Sequence, residues 1–218
     1  MYKKYVKRIF DFIAALLMSI VAFPIVFIAG LCILITSGSP ILFRQKRVGK
    51  DEKPFYIYKL RTMTKNKDGI NEVTKLGSFL RATSIDELPQ LINILRGEMS
   101  FIGPRPWISE YSKYFTKKDR RRSEVLPGLS GWAQVQGRNG ITIKQKLKAD
   151  TWYVDHISFK TDMVILIKTI GIVFKKTGAS ITEVGIQDEL RELRENYQQR
   201  LNKEEMKEEQ SIIAERIG

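Results

Sequence analysis

The chain has 218 residues, with 37 Lys and Arg against 24 Asp and Glu, a formal charge of +13. That length suits one modest domain with an appendage, and so basic a chain seeks polyanions: nucleic acid, anionic lipid or phosphorylated ligands. One cysteine (Cys32) and one histidine (His156) exclude an internal disulfide and a zinc site on ligand count, and suit a reducing compartment.

Residues 12–36 hold no charge. As a straight helix they would reach about 37 Å, more than the ~30 Å hydrocarbon core, and no small-residue cleavage site follows as a signal peptide would need. Pro24 falls in the middle, where a missing donor and a steric clash predict a bend. Each half would be about 18 Å, too short to span alone. Basic clusters flank both ends: Lys3, Lys4, Lys7 and Arg8 before, Arg44, Lys46, Arg47 and Lys50 after. The positive-inside rule places both flanks on one face, which favours a re-entrant segment over a spanning anchor. Asp11 belongs at the interface beside Arg8.

The globular part begins after the turn at 37–40. Residues 41–49 and 54–61 read as two paired strands, with Lys59 and Arg61 sharing a face. That pair fits either an exposed cationic face or a phosphate contact. A polar loop at 66–71 leads to a helix over 75–81, ended by Arg81.

The central stretch is Ser84-Ile85-Asp86-Glu87-Leu88-Pro89-Gln90-Leu91. A helix over 86–96 is expected, with Asp86 as N-cap because Pro89 then needs no donor, and Gly97 as its stop. Paired acids at a helix start are most often caps. Here arginines surround them (Arg81, Arg96, Arg105), and Pro104 and Pro106 fix the backbone on both sides of Arg105. A carboxylate to attack phosphorus or hold Mg²⁺, with guanidinium groups to clamp phosphate oxygens, is what phosphate chemistry requires.

Residues 111–124 read as a polar helix whose Arg120, Arg121 and Arg122 form a solvated or membrane-facing basic run. The glycine-rich 127–139 suits a binding loop. Helices are expected over 144–156 and 162–176, the second too short to span and fitting an interfacial or core position. His156 reads as a packed or surface residue. In 187–217, Leu190, Leu193, Tyr197 and Leu201 follow coiled-coil-like spacing, which fits either a solvated tail or a short self-association helix and so a homodimer.

Lys7-Arg8-Ile9-Phe10-Asp11, the stretch 43–49, Tyr58-Lys59-Leu60-Arg61-Thr62-Met63, Arg81 with 84–91, the stretch 97–106 and the stretch 127–135 together resemble the monotopic phosphoglycosyl transferases, or bacterial sugar transferases, and most the small PglC-like members. The resemblance runs from Tyr2 to about Gly178. It implies an α+β, mainly helical fold: a re-entrant helix-break-helix segment (1–40), a small cytoplasmic catalytic region with a short β-hairpin and interfacial amphipathic helices (41–184), and a charged helical tail (185–218). It also implies transfer of a sugar-1-phosphate from a UDP-sugar to polyprenyl (undecaprenyl) phosphate, with release of UMP, at the cytoplasmic face of the bacterial inner membrane.

In that likeness Asp86 matches a nucleophile that forms a covalent phospho-sugar, and Glu87 matches its partner. Mg²⁺ is the implied cofactor, with Asp86 as its protein ligand. Lys59, Arg61, Arg81, Arg105, Gln134 and Arg138 are the expected phosphate or substrate contacts, and Pro24 the membrane break. The partners are then the two substrates and anionic lipid, not nucleic acid. One departure is Phe23-Pro24 where many members carry Ser-Pro; Ser19, four residues upstream of Phe23, is placed to reach nearby backbone. Two other readings of the residues stay open: a glycosyltransferase acting on a lipid-linked sugar, which releases UDP, and a basic membrane adaptor without catalysis.

Overall fold

The computed structural model describes residues 2–65, 69–137, 140–174, 190, 191, 193–203 and 205–207. A wide helical turn over Tyr2–Val6 leads into α1 (Lys7–Ser37). One face of α1 is buried at Asp11, Ala15, Ala22, Ala29, Gly30 and Ile33. Spacings of three, four and seven put these on one stripe, and the alanines let the rest of the protein approach closely. The other faces leave Phe12, Leu17, Ile20, Val21, Phe23, Ile28 and Ile35 exposed. Such an apolar surface belongs in lipid rather than water.

The sequence predicts a bend at Pro24, in either one kinked helix or a re-entrant pair of half-helices. In the structure α1 is one helical element with Pro24 inside it. Ser19 does not serve the group that Pro24 frees: its hydroxyl donates to the Ala15 carbonyl, one turn back. Packing on both sides of Pro24, at Ala22 with Phe55 and Leu91 and at Ala29 with Leu60 and Leu80, holds the helix together across the missing donor. Both ends of α1 are tied to the same globular body. Arg8 donates to the carbonyls of Ile94 and Leu95, and Arg61 donates to those of Ser37, Gly38 and Ser39.

The expected hairpin is present. Antiparallel β1 (Leu42–Val48) and β2 (Pro54–Leu60) pair from Leu42 opposite Leu60 to Val48 opposite Pro54. Period-two alternation puts Arg47, Ile57 and Lys59 on one face and Arg44, Tyr56 and Tyr58 on the other, where Arg44 lies over both tyrosine rings. A second, unexpected hairpin joins β3 (Met63–Lys65) to β4 (Asn71–Val73). Next come α2 (Lys75–Ala82), capped by Thr74, a 3₁₀ turn over Ile85–Gln90, and α3 (Leu91–Arg96), ended by Gly97 at φ 80°.

After α3, β5 (Ser100–Ile102) pairs in parallel with β6 (Gly128–Ser130), so the 97–106 and 127–135 stretches lie side by side. Their backbones approach so closely that a Cβ on Gly128 would stand 2.1 Å from the Gly103 nitrogen, which only glycine permits.

The helix expected over 111–124 is broken into α4 (Ser109–Ser112), α5 (Lys117–Arg120) and a 3₁₀ turn over Arg121–Glu124. Its arginines are not a free basic run. Arg120 pairs with Glu52 and Arg121 with Asp155, while Arg122 is buried against Asp150 at 2.7 Å. The loop expected at 127–139 contains α6 (Trp132–Gly137) after β6.

The last core elements are α7 (Ile143–Asp155), opened by a Thr142–Gln145 capping box, and α8 (Phe159–Phe174). His156 is exposed, stacked on Trp152. The described tail residues pack on their own chain. Leu190 joins Phe115, Ile143 and Leu147, and Tyr197 meets Tyr114 edge-on. Much of the stripe that suggested self-association is thereby covered from within.

Candidate active site

The site forms where the β1–β2 hairpin face, the Ile85–Gln90 turn and the turn after β5 meet. Ser84 takes a left-handed conformation (φ 58°) and makes no side-chain cap, so the turn that follows is 3₁₀ rather than α. Asp86 is therefore not the N-cap that the sequence predicts. It lies inside the turn, with Glu87 and Pro89, and is buried to 6 % exposure. In a 3₁₀ turn, residues three apart eclipse, so Glu87 and Gln90 project to the same side.

Glu87 is the anchor of the cluster. Its Oε1 accepts from Lys59 Nζ at 2.6 Å and from Arg105 Nη2 at 2.7 Å. Burial alone would push the Glu87 carboxyl up, but the charges and hydrogen bonds of Arg105 and Lys59 bring it down to about 2. The same pairing raises Arg105 further above its ordinary value.

Asp86 has the opposite environment. Its carboxylate makes no hydrogen bond or ion pair among the described residues. Burial pushes its pKa up, opposed by the charge of Lys59, reinforced by Glu87, and opposed again by Arg81 and Arg105. It is a carboxyl group near three cations but in contact with none of them among the described residues, which leaves its lone pairs available for chemistry.

The turn carrying Arg105 is held from several sides. Gly103 N–H donates to Ser130, Gly128 N–H donates to Pro104, and Arg122 Nη2 donates to the Arg105 carbonyl. Arg47 Nη1 donates to the Pro106 carbonyl at 3.1 Å. Arg105 is thus a half-exposed side chain on a fixed backbone.

The structure brings Lys59, Asp86, Glu87, Arg81 and Arg105 together. Arg81 also donates from Nε to Thr62 Oγ1 at 2.9 Å. Arg61 is not with them. Strand β2 ends at Leu60, and Arg61 turns away to the carbonyls at the end of α1. Gln134 sits on α6 with its amide oxygen beside Gly131, and both its amide atoms are buried without a partner among the described residues. Arg138 lies outside the described residues.

Residues 2–176 match the family profile of bacterial sugar transferases. The chain belongs to the bacterial sugar transferase family. It is 42 % identical over 183 residues to an uncharacterized sugar transferase, EpsL, of Bacillus subtilis, covering 81 % of this chain and 91 % of that protein. It is 40 % identical over 181 residues to the UDP-glucose:undecaprenyl-phosphate glucose-1-phosphate transferase of Caulobacter vibrioides, covering 75 % and 68 %. An Aeromonas hydrophila UDP-N-acetylgalactosamine-undecaprenyl-phosphate N-acetylgalactosaminephosphotransferase is 35 % identical over 193 residues, covering 80 % of this chain and 45 % of that protein. The protein is therefore a transferase, and α1, the one described helix long and apolar enough to cross a membrane, makes it membrane-associated.

Two residues of this transferase's site escaped the sequence reading. Arg47 and Gln90 line the same cleft as Lys59 and Arg105. The hairpin register carried the signal for Arg47, since it shares a face with Lys59. Gln90 needed the 3₁₀ geometry, because on an α-helix it would not eclipse Glu87.

Proposed function

We propose that the protein transfers a sugar-1-phosphate from a UDP-sugar to polyprenyl (undecaprenyl) phosphate, with release of UMP, as the first membrane step in assembling a bacterial glycoconjugate. The observation that carries this reading is Asp86: a buried carboxyl group without a hydrogen-bond donor among the described residues, beside a Glu87 whose Oε1 is held by Lys59 and Arg105. Family membership and the names of the relatives support the substrate classes.

In the first half-reaction an Asp86 oxygen attacks the phosphorus that bears the sugar. The bond to the bridging oxygen breaks, and UMP leaves with its electron pair. In the second, an oxygen of polyprenyl phosphate attacks the same phosphorus, and Asp86 departs as a free carboxylate. Lys59, Arg81 and Arg105 stabilise charge on the transferring group in both halves. Glu87 fixes Lys59 and Arg105, and its depressed pKa keeps it anionic throughout. Gln134 offers two amide atoms, unpaired among the described residues and beside Gly131, for a substrate polar group.

Mg²⁺ fits this donor set. It is commonly held by one or two carboxylates plus substrate phosphates, and Asp86 is the carboxylate left free. When bound it would neutralise phosphate charge.

A monotopic, re-entrant seating on the cytoplasmic face of the inner membrane is part of the same proposal. A helix of 31 residues is about 46 Å long. Were it to cross the bilayer, one end would be stranded from the globular body, yet Arg8 and Arg61 bind both ends to that body. The exposed apolar residues of α8, including Ile167 and Ile170, extend the same membrane-facing surface at the interface.

Purified protein with polyprenyl phosphate, Mg²⁺ and a panel of UDP-sugars tests the reading. UMP released with at least one donor supports it; UDP release identifies a glycosyltransferase instead, and no nucleotide release with any donor overturns it.

A further inference from the structure

A small cleft adjoins the site, since Lys59 and Arg105, which line it, both pair with Glu87, the neighbour of Asp86. Arg47, Lys59, Gln90 and Arg105 line it, closed by Pro106 and Gly128. Gln90 is 3 % exposed, and its Nε2 is buried with no partner. Arg47 Nε is likewise buried and unpartnered. The rest of the Arg47 guanidinium donates only to the Pro106 carbonyl and Gln45 Oε1, both uncharged, so it has no ion pair among the described residues. Burial and the neighbouring Arg105 lower Arg47 to about 10, which leaves it cationic at neutral pH. Buried donors without acceptors are costly, and two of them facing one cationic cleft call for an anion with several oxygens.

Their position says which anion. Arg47 lies on the same hairpin face as Lys59, and Gln90 projects to the same side of its turn as Glu87, which Lys59 and Arg105 bind. Arg47 and Gln90 thus share a cleft with Lys59 and Arg105, at the turn that carries Asp86 but not lined by Asp86 itself. In phosphoryl transfer the leaving oxygen stands opposite the attacking one. We propose that Arg47 and Gln90 form the subsite for the phosphoryl group that leaves with the nucleotide, clamping the UMP phosphate as the bridging bond breaks. This rests on the reading of Asp86 as the attacking group.

The test is UMP binding by titration calorimetry to the full chain in detergent, with Arg47→Met, Gln90→Leu and Gln90→Glu compared with wild type at matched melting temperature. A hydrogen bond from these donors to a charged phosphate predicts about 10- to 100-fold weaker UMP binding in the first two variants. Gln90→Glu sets a second anion against the phosphate and weakens binding at least as much; it guards against a packing effect particular to leucine. In steady-state turnover the KM for the UDP-sugar rises while that for polyprenyl phosphate stays unchanged. Unchanged UMP affinity in folded variants of a UMP-binding wild type overturns the subsite and leaves the reaction standing. A wild type that binds no UMP overturns both.

Discussion

Two of the clusters that bury aspartates in this molecule are built in opposite ways. At the junction of α1, α7 and α8, Asp162 is 2 % exposed and both its oxygens are filled: Oδ2 accepts from Tyr2 OH at 2.6 Å and Lys7 Nζ at 2.7 Å, and Oδ1 accepts from Tyr153 OH at 2.7 Å. Nearby, Asp11 Oδ1 accepts from the Phe101 N–H. Burial and the Asp162 charge push the Tyr153 hydroxyl far above its ordinary range, so it stays a donor. In the active site, Asp86 is nearly as deeply buried but has cations around it without a hydrogen bond. The first arrangement spends a carboxylate on holding elements together; the second keeps one reactive. Burial alone does not distinguish a structural aspartate from a chemical one, whereas the count of donors on its oxygens does.

Asp86→Asn gives the largest expected effect: nucleotide release falls to background. Stability should move the other way. A carboxyl whose pKa is raised by folding favours the folded state only while protonated, and that contribution is lost as pH rises through its folded pKa. At neutral pH the variant should therefore melt no lower than wild type, and higher if desolvation dominates. Asp162→Ala reverses the pattern. It removes the partner of Lys7 and of the Tyr2 hydroxyl and leaves Tyr153 only the Ile102 carbonyl, and should cost about 3–5 kcal/mol in denaturant titration while turnover per folded molecule persists. Arg122→Met, which strands buried Asp150 at a similar cost, should lower turnover as well, because Arg122 also holds the Arg105 carbonyl.

These contrasts were only partly legible in sequence. The β1–β2 hairpin followed from its alternation, and α2, α7 and the Gly97 stop from caps and periodicity, because those are local rules. The paired acids and the Pro-Arg-Pro turn were visible as a cluster. Their division of labour was not, because it depends on Lys59 and Arg105 both reaching Glu87 across 28 and 18 positions. Asp86 was read as a cap because nothing local announces that Ser84 goes left-handed and forces a 3₁₀ turn. Arg61 was grouped with Lys59 by alternation, which fails where the strand ends. The arginine run 120–122 looked free because three of its four carboxylate partners, Glu52, Asp150 and Asp155, are distant in the chain. The tail stripe left a solvated tail or a self-association helix open because its partner surface, around Phe115 and Leu147, is assembled only on folding.

Two smaller effects sharpen the comparison. Glu87 is held at about 2 against an ordinary 4.5, so its ion pairs stabilise the fold fully above about pH 4.5 and lose that contribution as pH falls towards 2. Glu87→Gln should therefore melt lower than wild type at neutral pH, and the two melting curves should converge in acid. Its turnover should fall too, since Lys59 and Arg105 lose their shared anchor. Tyr197→Ala, far from both clusters, removes one edge-on aromatic contact with Tyr114 and should cost about 0.5–1.5 kcal/mol, with turnover unchanged.

The measurement that bears most directly on the account is intact-protein mass spectrometry after brief exposure to the active UDP-sugar and Mg²⁺, without polyprenyl phosphate. The account predicts a mass increase of one sugar-phosphate, mapped by peptide fragmentation to Asp86, absent in Asp86→Asn, and discharged when polyprenyl phosphate is added. A protein that turns over the donor yet carries no adduct, or carries it on Glu87 or any other residue, would contradict the assignment of Asp86 as the attacking group.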